Sequence, residues 1–250
     1  MGEGEGIEKL FFDLASESRL GIIRELREQN LKNNELSKRL DLTTTEAFRQ
    51  LRHLTEARLI QRLPDGIYTI TNYGKMTLQL LQSLEFTFEH KAYFLNHDVW
   101  RLPYQFFNRI GELSKGTLSM DTIENVNRAG HMFGEAEKYA WAMGERLLES
   151  LGPAMARHVS KGVEFRFMGY ERRLPSFNHV PGGASHVELR TPTDVPITIV
   201  CTEKEAEICF PSTEGRMDYA AFYGKDRMFV NWAKELFLYY WDKAELGRPK

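Results

Sequence analysis

The chain has 250 residues, of which 42% are hydrophobic and 27% are charged, and its formal net charge at pH 7 is −2. This length fits one large domain or two ordinary ones. The balanced charge excludes a global basic field that would draw the protein to nucleic acid, so any attraction to DNA must be local. No long apolar run and no basic leader occur, so we expect a cytoplasmic protein without a membrane segment.

Apolar spacing predicts two helices between Ile7 and Asn30 and a short third helix after Asn33. The next periodic run begins after Asp41-Leu42-Thr43, and its inward stripe consists of Ala47, Leu51 and Leu54. Thr43 stands three residues before Glu46, as in a capping box, which predicts Thr43 as the N-cap of this fourth helix. Two short helices around a tight turn, within residues 33 to 60, are typical of a DNA-binding helix-turn-helix.

The outward positions of the fourth helix are polar. Arginine and glutamine form paired hydrogen bonds with guanine and adenine edges, and threonine suits phosphates or single base contacts. An ordinary solvated helix face is the alternative interpretation. Local charge favours DNA, because Lys38, Arg39, Arg49, Arg52, Arg58 and Arg62 outnumber Asp41, Glu46 and Glu56. The candidate DNA contacts, including one from the segment that follows, are Thr44, Thr45, Arg49, Gln50, Arg52, His53 and Arg62.

The segment after this helix predicts a β-hairpin. Two short β-prone runs, Gln61–Leu63 and Ile67–Thr71, flank the turn Pro64-Asp65-Gly66. A hairpin directly after a helix-turn-helix makes a winged helix, and it would place Arg62 beside the flanking DNA backbone or minor groove.

This segment resembles the winged-helix domains of ArsR-like and MarR-like prokaryotic transcription regulators. Their pattern L-x-x-A-x-L-I is matched by residues Leu54 to Ile60, except that Arg58 stands where a glycine is usual. The resemblance implies binding to double-stranded DNA.

Residues 72–96 predict one long helix with an apolar stripe at every fourth position: Met76, Leu80, Leu84, Phe88 and Ala92. Such a stripe fits a dimer seam or a packing face against the next domain. We favour a homodimer, because two-fold proteins match palindromic operators. The expected organisation is a winged-helix domain at 1–71, a linking and dimerisation helix at 72–96, and an effector-binding or interaction domain at 97–250.

The remaining chain predicts an α/β domain with a central sheet, so the fold class of the whole chain is α+β. His97 and Asp98 open it, either as a hinge or as a loop that contacts a ligand. We expect helices at Tyr104–Leu113, Asp121–Gly152 and Asp226–Glu245, and strands at Gly116–Asp121, Gly162–Gly169, Val187–Arg190, Ile197–Thr202 and Glu207–Phe210.

Several stretches of this half look like the archaeal winged-helix regulators that carry the domain first described in a methanogen filament-formation regulator. More distantly, the half is similar to the effector domain of TrmB-like archaeal sugar regulators, whose fold is related to phospholipase D. The resemblance implies a transcription regulator with a degenerate phospholipase D-like sensing domain, but supplies no effector. It rests on Leu102–Leu113, Ala136–Met143, Gly162–Met168, Val187–Arg190, Ile208–Pro211 and Trp232–Trp241.

Phospholipase D chemistry uses a histidine followed by lysine at the second position. None of the seven histidines has a lysine there. The sequence also has no Gly-rich phosphate loop and no His/Cys cluster at metal-ligand spacing. We therefore expect no enzymatic activity, no cofactor and no metal.

The candidate effector contacts are Arg166, Arg190, Trp141 and Trp232. Arginines on a sheet can hold an anion and tryptophans can stack on a ligand, although arginines paired with nearby carboxylates and tryptophans in the core are the alternatives. Cys201 and Cys209 are either small core side chains or a redox or metal switch.

These features predict a dimeric, sequence-specific transcription regulator controlled by a small-molecule or anionic effector. The alternative function is a protein-interaction module, in which the winged helix docks a partner instead of reading DNA.

Overall fold

The computed structural model describes residues 6–144, 162–169, 187–192 and 194–246. The chain divides into two compact units, Met1–Gln82 and Ser83–Lys250, and the division lies within one helix. Helices and strands occur in both units, which confirms the α+β class.

The N-terminal unit is a winged helix. Its small antiparallel sheet has the order β1-β3-β2, and β2 and β3 form the predicted hairpin. The elements are α1 (Ile7–Leu14), α2 (Glu17–Glu28), β1 (Leu31–Lys32), α3 (Asn33–Arg39), α4 (Thr44–Glu56), β2 (Ile60–Arg62), β3 (Ile67–Ile70) and the start of α5 (Asn72–Glu89).

The start of α4 has the predicted cap. The Thr43 hydroxyl accepts a hydrogen bond from the Glu46 backbone N–H at 3.1 Å, and the Glu46 carboxylate accepts one from the Thr43 N–H at 3.2 Å. Before it, Asp41 has a φ of 51°, a left-handed conformation that aspartate tolerates better than most residues. These local features confirm Thr43 as the N-cap and set the sharp turn between α3 and α4.

The base of the wing is held by close backbone packing. The Arg58 carbonyl accepts a hydrogen bond from the Thr71 hydroxyl at 2.8 Å, and Arg58 has a φ of 57°. A Cβ on Gly74 would lie 2.1 Å from the Leu59 carbonyl oxygen, so only glycine allows α5 to pass there. Arg58 thus keeps the backbone conformation for which glycine is usual at this position.

Helix α5 ends at Glu89, so the prediction of one helix to residue 96 is wrong for its last turns. His90 leaves the helical conformation, and a separate short helix, α6, spans Lys91–Phe94. The break turns Tyr93 into the core, where its ring lies 4.9 Å from that of Phe222.

The C-terminal unit is built on a mixed sheet. Among the described residues its strand order is β11-β7-β6-β5-β8-β9-β10-β4, with β5, β6 and β7 parallel and the other pairs antiparallel. After α6, the elements are α7 (Tyr104–Phe107), a 3₁₀ helix (Ile110–Lys115), β4 (Thr117–Ser119), α8 (Thr122–Glu135), β5 (Tyr139–Met143), β6 (Glu164–Met168), β7 (Val187–Thr191), β8 (Thr198–Thr202), β9 (Ala206–Cys209), β10 (Ala221–Gly224), α9 (Arg227–Trp241) and β11 (Glu245–Leu246).

The predicted helix Asp121–Gly152 is wrong beyond α8, because residues 139–143 form the central strand β5. Ala140 and Ala142 face the α8 side, where they pack in the cluster of Phe133 and Phe165, while Trp141 belongs to the cluster on the α9 side. This alternation has the period of a strand, although alanine favours helices in isolation. Residues 145–152 lie outside the described residues.

Two further differences concern local boundaries. The helix predicted at Tyr104–Leu113 is divided into α7 and the 3₁₀ helix. Strand β10 was not predicted from the sequence; it fills the sheet between β9 and β4.

Within the described part of the chain, no helix is long and apolar enough to cross a membrane.

The two cysteines do not form a switch with each other. In the β8–β9 register, Cys201 is opposite Ala206 and Cys209 is opposite Thr198, which separates the two thiols by about 10 Å along the strands. A disulfide needs Cα atoms within about 7 Å. Both thiols are buried, and burial raises the pKa of Cys201 to about 12. They therefore act as small core side chains. The described residues contain no group of three or more His, Cys, Asp or Glu side chains that could hold a metal ion.

We predict that Arg58→Gly stabilises the N-terminal unit. A left-handed conformation costs a non-glycine residue about 1–2 kcal/mol, part of which is offset by the greater chain entropy of unfolded glycine, so the expected gain in the free energy of unfolding is about 0.5–1 kcal/mol. Urea denaturation measures it. Arg52→Gly, an exposed site within α4, is the matched control and should lower the stability by about 1 kcal/mol. Equal losses for both variants would contradict the strain at Arg58.

Candidate nucleic-acid interface and sensing site

Helix α4 presents a basic face away from the core of the N-terminal unit. Ala47, Leu51 and Leu54 are fully buried. At 100° per residue, Arg49 and Arg52 point to the opposite side, and both are exposed. Arg49 forms no ion pair with any described residue, whereas Arg52 lies 3.7 Å from Glu56 in a solvent-exposed pair that contributes little.

The N-terminal end of α4 offers hydroxyl groups beside this face. Thr44 and Thr45 are exposed, and the Thr44 carbonyl accepts a hydrogen bond from the Asn33 side chain at 3.2 Å. The side-chain hydrogen bond from Thr43 holds the pKa of Glu46 below its ordinary value, so its carboxylate stays charged at the positive end of the helix dipole.

Two of the predicted contacts are engaged within the unit. The Gln50 side-chain oxygen accepts a hydrogen bond from Arg19 at 3.3 Å, and His53 Nε2 lies 2.6 Å from a carboxylate oxygen of the buried Asp13. Both residues are half-buried. Gln50 and His53 therefore hold α4 against α1 and α2 at one edge of the face, and their role as DNA contacts stays a prediction. The buried partner Asp13 could not be foreseen, because its contact spans forty residues.

The wing carries the seventh predicted contact. Arg62 is exposed on β2, and its guanidinium lies 6.0 Å from the centre of the Tyr68 ring. The turn beyond it contains Gly66 with a φ of 78°. Thr44, Thr45, Arg49, Arg52 and Arg62 are thus all open to solvent on the winged-helix unit.

In the C-terminal unit, Arg166 and Arg190 lie on neighbouring parallel strands and share one aromatic ring. Their guanidinium carbons lie 5.3 Å and 4.5 Å from the ring centre of Trp241. Arg166 also lies over Trp141 at 4.8 Å, and the Lys234 ammonium lies 5.2 Å from the same ring. We name these five residues, Lys234, Trp141, Arg166, Trp241 and Arg190, the cation–aromatic ladder.

The described residues include one carboxylate in contact with the ladder. The Glu164 carboxylate lies 2.8 Å from Arg166 Nε and accepts a hydrogen bond from Trp141 Nε1 at 3.0 Å. Arg190 donates to the Trp241 carbonyl at 2.7 Å and forms no ion pair with a described residue. Both arginines are partly exposed, so an anion from solvent can approach their edges.

Trp232 does not belong to this group, which corrects its prediction as an effector contact. It is 0% exposed, and its Nε1 donates to the Phe106 carbonyl at 3.3 Å within the core under α9. Trp141 is also buried, and both of its contacts with cations lie within the ladder, so it supports Arg166 rather than offering a face to a ligand. The sequence does not predict Trp241 as a partner of the two arginines, because it is one of many aromatic residues on α9.

His97 is part of the core. Its ring stacks on Tyr93 at 3.7 Å, Nδ1 lies 2.8 Å from the Tyr93 carbonyl, and Nε2 lies 3.0 Å from a carboxylate oxygen of Asp218. These contacts fix the chain where α6 ends, so His97 does not line a ligand loop.

A buried acidic residue on the other face of the sheet was not predicted. Glu207 on β9 is 2% exposed, and burial raises its pKa to about 7, although Arg128 of α8 lies 3.2 Å from its carboxylate and opposes this shift. The Arg128 guanidinium also covers the Tyr223 ring at 4.7 Å. This pair attaches α8 to the sheet and includes no candidate contact.

Two family models match the chain. Residues 7–92 match the HVO_A0261 N-terminal domain, and residues 183–243 match the middle domain of the methanogenesis regulatory protein FilR1. The matches confirm the resemblance to archaeal regulators at both ends of the chain. No curated protein sequence matches it.

The solved structures that match parts or most of the chain include an archaeal chromatin protein, HlyU and a phospholipase D family member. TrmBL2, an archaeal chromatin protein, is 14% identical over 96% of both chains, with a TM-score of 0.45. HlyU from Vibrio cholerae is 28% identical over 31% of this chain and 85% of its own, with a TM-score of 0.28. The phospholipase D family member Nuc from Salmonella typhimurium is 12% identical over 49% of this chain and 90% of its own, with a TM-score of 0.35.

Proposed function

We propose that this protein is a DNA-binding transcription regulator that acts as a homodimer under the control of an anionic effector. The chain joins segments that match the HVO_A0261 N-terminal domain and the FilR1 middle domain. The observation that carries the proposal is the exposed basic face of α4. This helix begins at a capped turn and is followed by the wing. We propose no catalytic role.

Double-stranded DNA fits the chemistry of the winged-helix unit. An α-helix fits the major groove, where Arg49 and Arg52 can reach guanine edges, and the hydroxyls of Thr44 and Thr45 can reach phosphates beside them. Arg62 on the wing can neutralise a further phosphate or enter the minor groove. Because the whole chain carries a net charge of −2, this local cluster has to provide the attraction, which should weaken as salt rises.

Helix α5 supports the homodimer. Met76, Leu80, Leu84 and Phe88 recur every fourth residue on α5 and are each between 55% and 74% exposed. A run of large apolar side chains at this spacing is the surface that a second helix covers in an antiparallel or parallel pair. A second copy of this chain is the partner we propose, since a dimer presents two α4 helices to the two halves of a palindromic site.

The cation–aromatic ladder supports the anionic effector. An incoming carboxylate or phosphate can form charge-assisted hydrogen bonds with the edges of Arg166 and Arg190 while their faces stay on the tryptophan rings. Such a ligand regulates DNA binding only if it prefers one of two conformations of the dimer, because equal affinity for both shifts no equilibrium.

A docking role for the winged helix is the second candidate. Phe11 and Phe12 on α1 are both more than half exposed, and exposed phenylalanines are typical of surfaces that bind other proteins. Selection of duplexes from a random pool by the purified protein separates the two functions, because a docking module enriches no DNA sequence.

We predict that Arg49→Ala weakens binding to the selected duplex by about 1–3 kcal/mol, because a paired hydrogen bond to a base edge is lost. Fluorescence anisotropy measures the affinity for the selected duplex and for a scrambled one. Arg216→Ala, which removes an exposed arginine of the other unit, is the matched control and should leave both affinities unchanged. An equal loss on the two duplexes would show that Arg49 contacts phosphate and reads no base.

We predict that Leu84→Glu converts the dimer to a monomer, because a charge would have to be buried in the apolar seam without a partner. Sedimentation velocity gives the mass of each species. Lys75→Glu introduces the same side chain at an exposed position on the opposite side of α5 and should leave the dimer intact. A monomeric wild type, or a Leu84→Glu variant that remains dimeric, would refute the seam.

We predict that citrate or inorganic phosphate raises the thermal unfolding midpoint of the protein and that Arg190→Gln abolishes this rise. Ligands that bind only the folded state stabilise it according to their concentration relative to Kd. Differential scanning fluorimetry, with and without each anion, separates the ligand effect from any change in basal stability. Arg216→Gln should retain the full rise. An undiminished rise in Arg190→Gln, or none in the wild type, would contradict the site.

A further inference from the structure

Phe48 is an exposed aromatic residue on the DNA-facing helix, and none of the roles described above uses it. It lies in the first half of α4 and is 51% exposed, although its neighbour Ala47 is fully buried in the core. One turn before it stands Thr44 and one turn after it stands Arg52, both open to solvent. The apolar ring therefore lies on the exposed surface of α4, one helical turn from a hydroxyl residue and one from an arginine of the proposed interface.

The surroundings of Phe48 favour nucleic acid over a protein as its partner. A protein that covered the ring would also have to cover Arg49, which forms no ion pair with a described residue, and burying an unpaired charge is expensive. DNA supplies phosphates and guanine edges for these cations. It also supplies one apolar group in the major groove, the C5 methyl of thymine, which phenylalanine side chains contact.

We propose that Phe48 is a specificity-determining residue that contacts the C5 methyl group of a thymine in the operator. This proposal rests on the proposed function, because it assumes that α4 enters the major groove. It assigns the recognition of adenine–thymine at one position to an apolar contact, while Arg49 and Arg52 contact the neighbouring base edges or phosphates.

Replacement of thymine by deoxyuridine tests the contact, because it removes the methyl group and leaves the base pairing unchanged. The purified full-length protein first selects a duplex from a random pool. Each thymine of that duplex is then replaced singly by deoxyuridine, and the affinities are measured by fluorescence anisotropy. At one position in each half-site, we expect the wild type to bind the deoxyuridine duplex about fourfold more weakly, the ratio that corresponds to burial of one methyl group.

Three variants make the assignment specific to Phe48. In Phe48→Ala the thymine and deoxyuridine duplexes should bind equally at that position, and Phe48→Leu should restore a preference for thymine. Trp100→Ala removes an exposed aromatic ring from the C-terminal unit and should keep the wild-type ratio. Phe48 is exposed and alanine favours helices, so Phe48→Ala should keep the wild-type unfolding midpoint.

The outcomes separate this inference from the proposed function. A selected sequence that tolerates deoxyuridine at every position, or a thymine preference that survives in Phe48→Ala, overturns the contact while DNA binding stands. Failure to select any sequence overturns the proposed function and the contact with it. A preference that is present in the wild type, lost in Phe48→Ala and regained in Phe48→Leu establishes the contact.

Discussion

The N-terminal unit depends on how α4 is fixed along its length. Its first turn is held by the reciprocal hydrogen bonds of Thr43 and Glu46, and its middle by the contacts of Gln50 with Arg19 and of His53 with Asp13. These contacts lie at the start and along one edge of the helix. Together with the buried leucines, they fix its rotation and keep Arg49 and Arg52 on the exposed side of the helix. A helix whose backbone is already fixed loses little backbone entropy when it binds, which favours specific recognition.

The local parts of the fold could be predicted from the sequence. The cap at Thr43, the hairpin around Gly66 and the inward stripe of α4 each depend on residues within a few positions of one another. The strained conformation of Arg58 could be anticipated only from its place in a pattern where glycine is usual, since a single sequence gives no φ angle.

Contacts across long sequence separations could not be predicted. The apolar spacing of Ala136, Ala140 and Met143 continues the stripe of α8 and predicts a helix through β5, whereas the packing of α8 against Ala140 and Ala142 explains the small residues of this strand. The same limit applies to single side chains. Trp232 and Trp241 are both buried on α9, yet Trp232 donates a hydrogen bond to the Phe106 carbonyl, while Trp241 lies beneath two arginines from the sheet.

The cation–aromatic ladder connects parts of the C-terminal unit that are distant in the sequence. Its arginines come from β6 and β7, whereas Lys234 and Trp241 come from α9. Ring faces and the Trp241 carbonyl hold the cations of the ladder, and among the described residues Glu164 forms an ion pair with one of them, Arg166. An anion that joins the edges of Arg166 and Arg190 would reduce the repulsion between neighbouring cations and tighten the sheet against the end of α9.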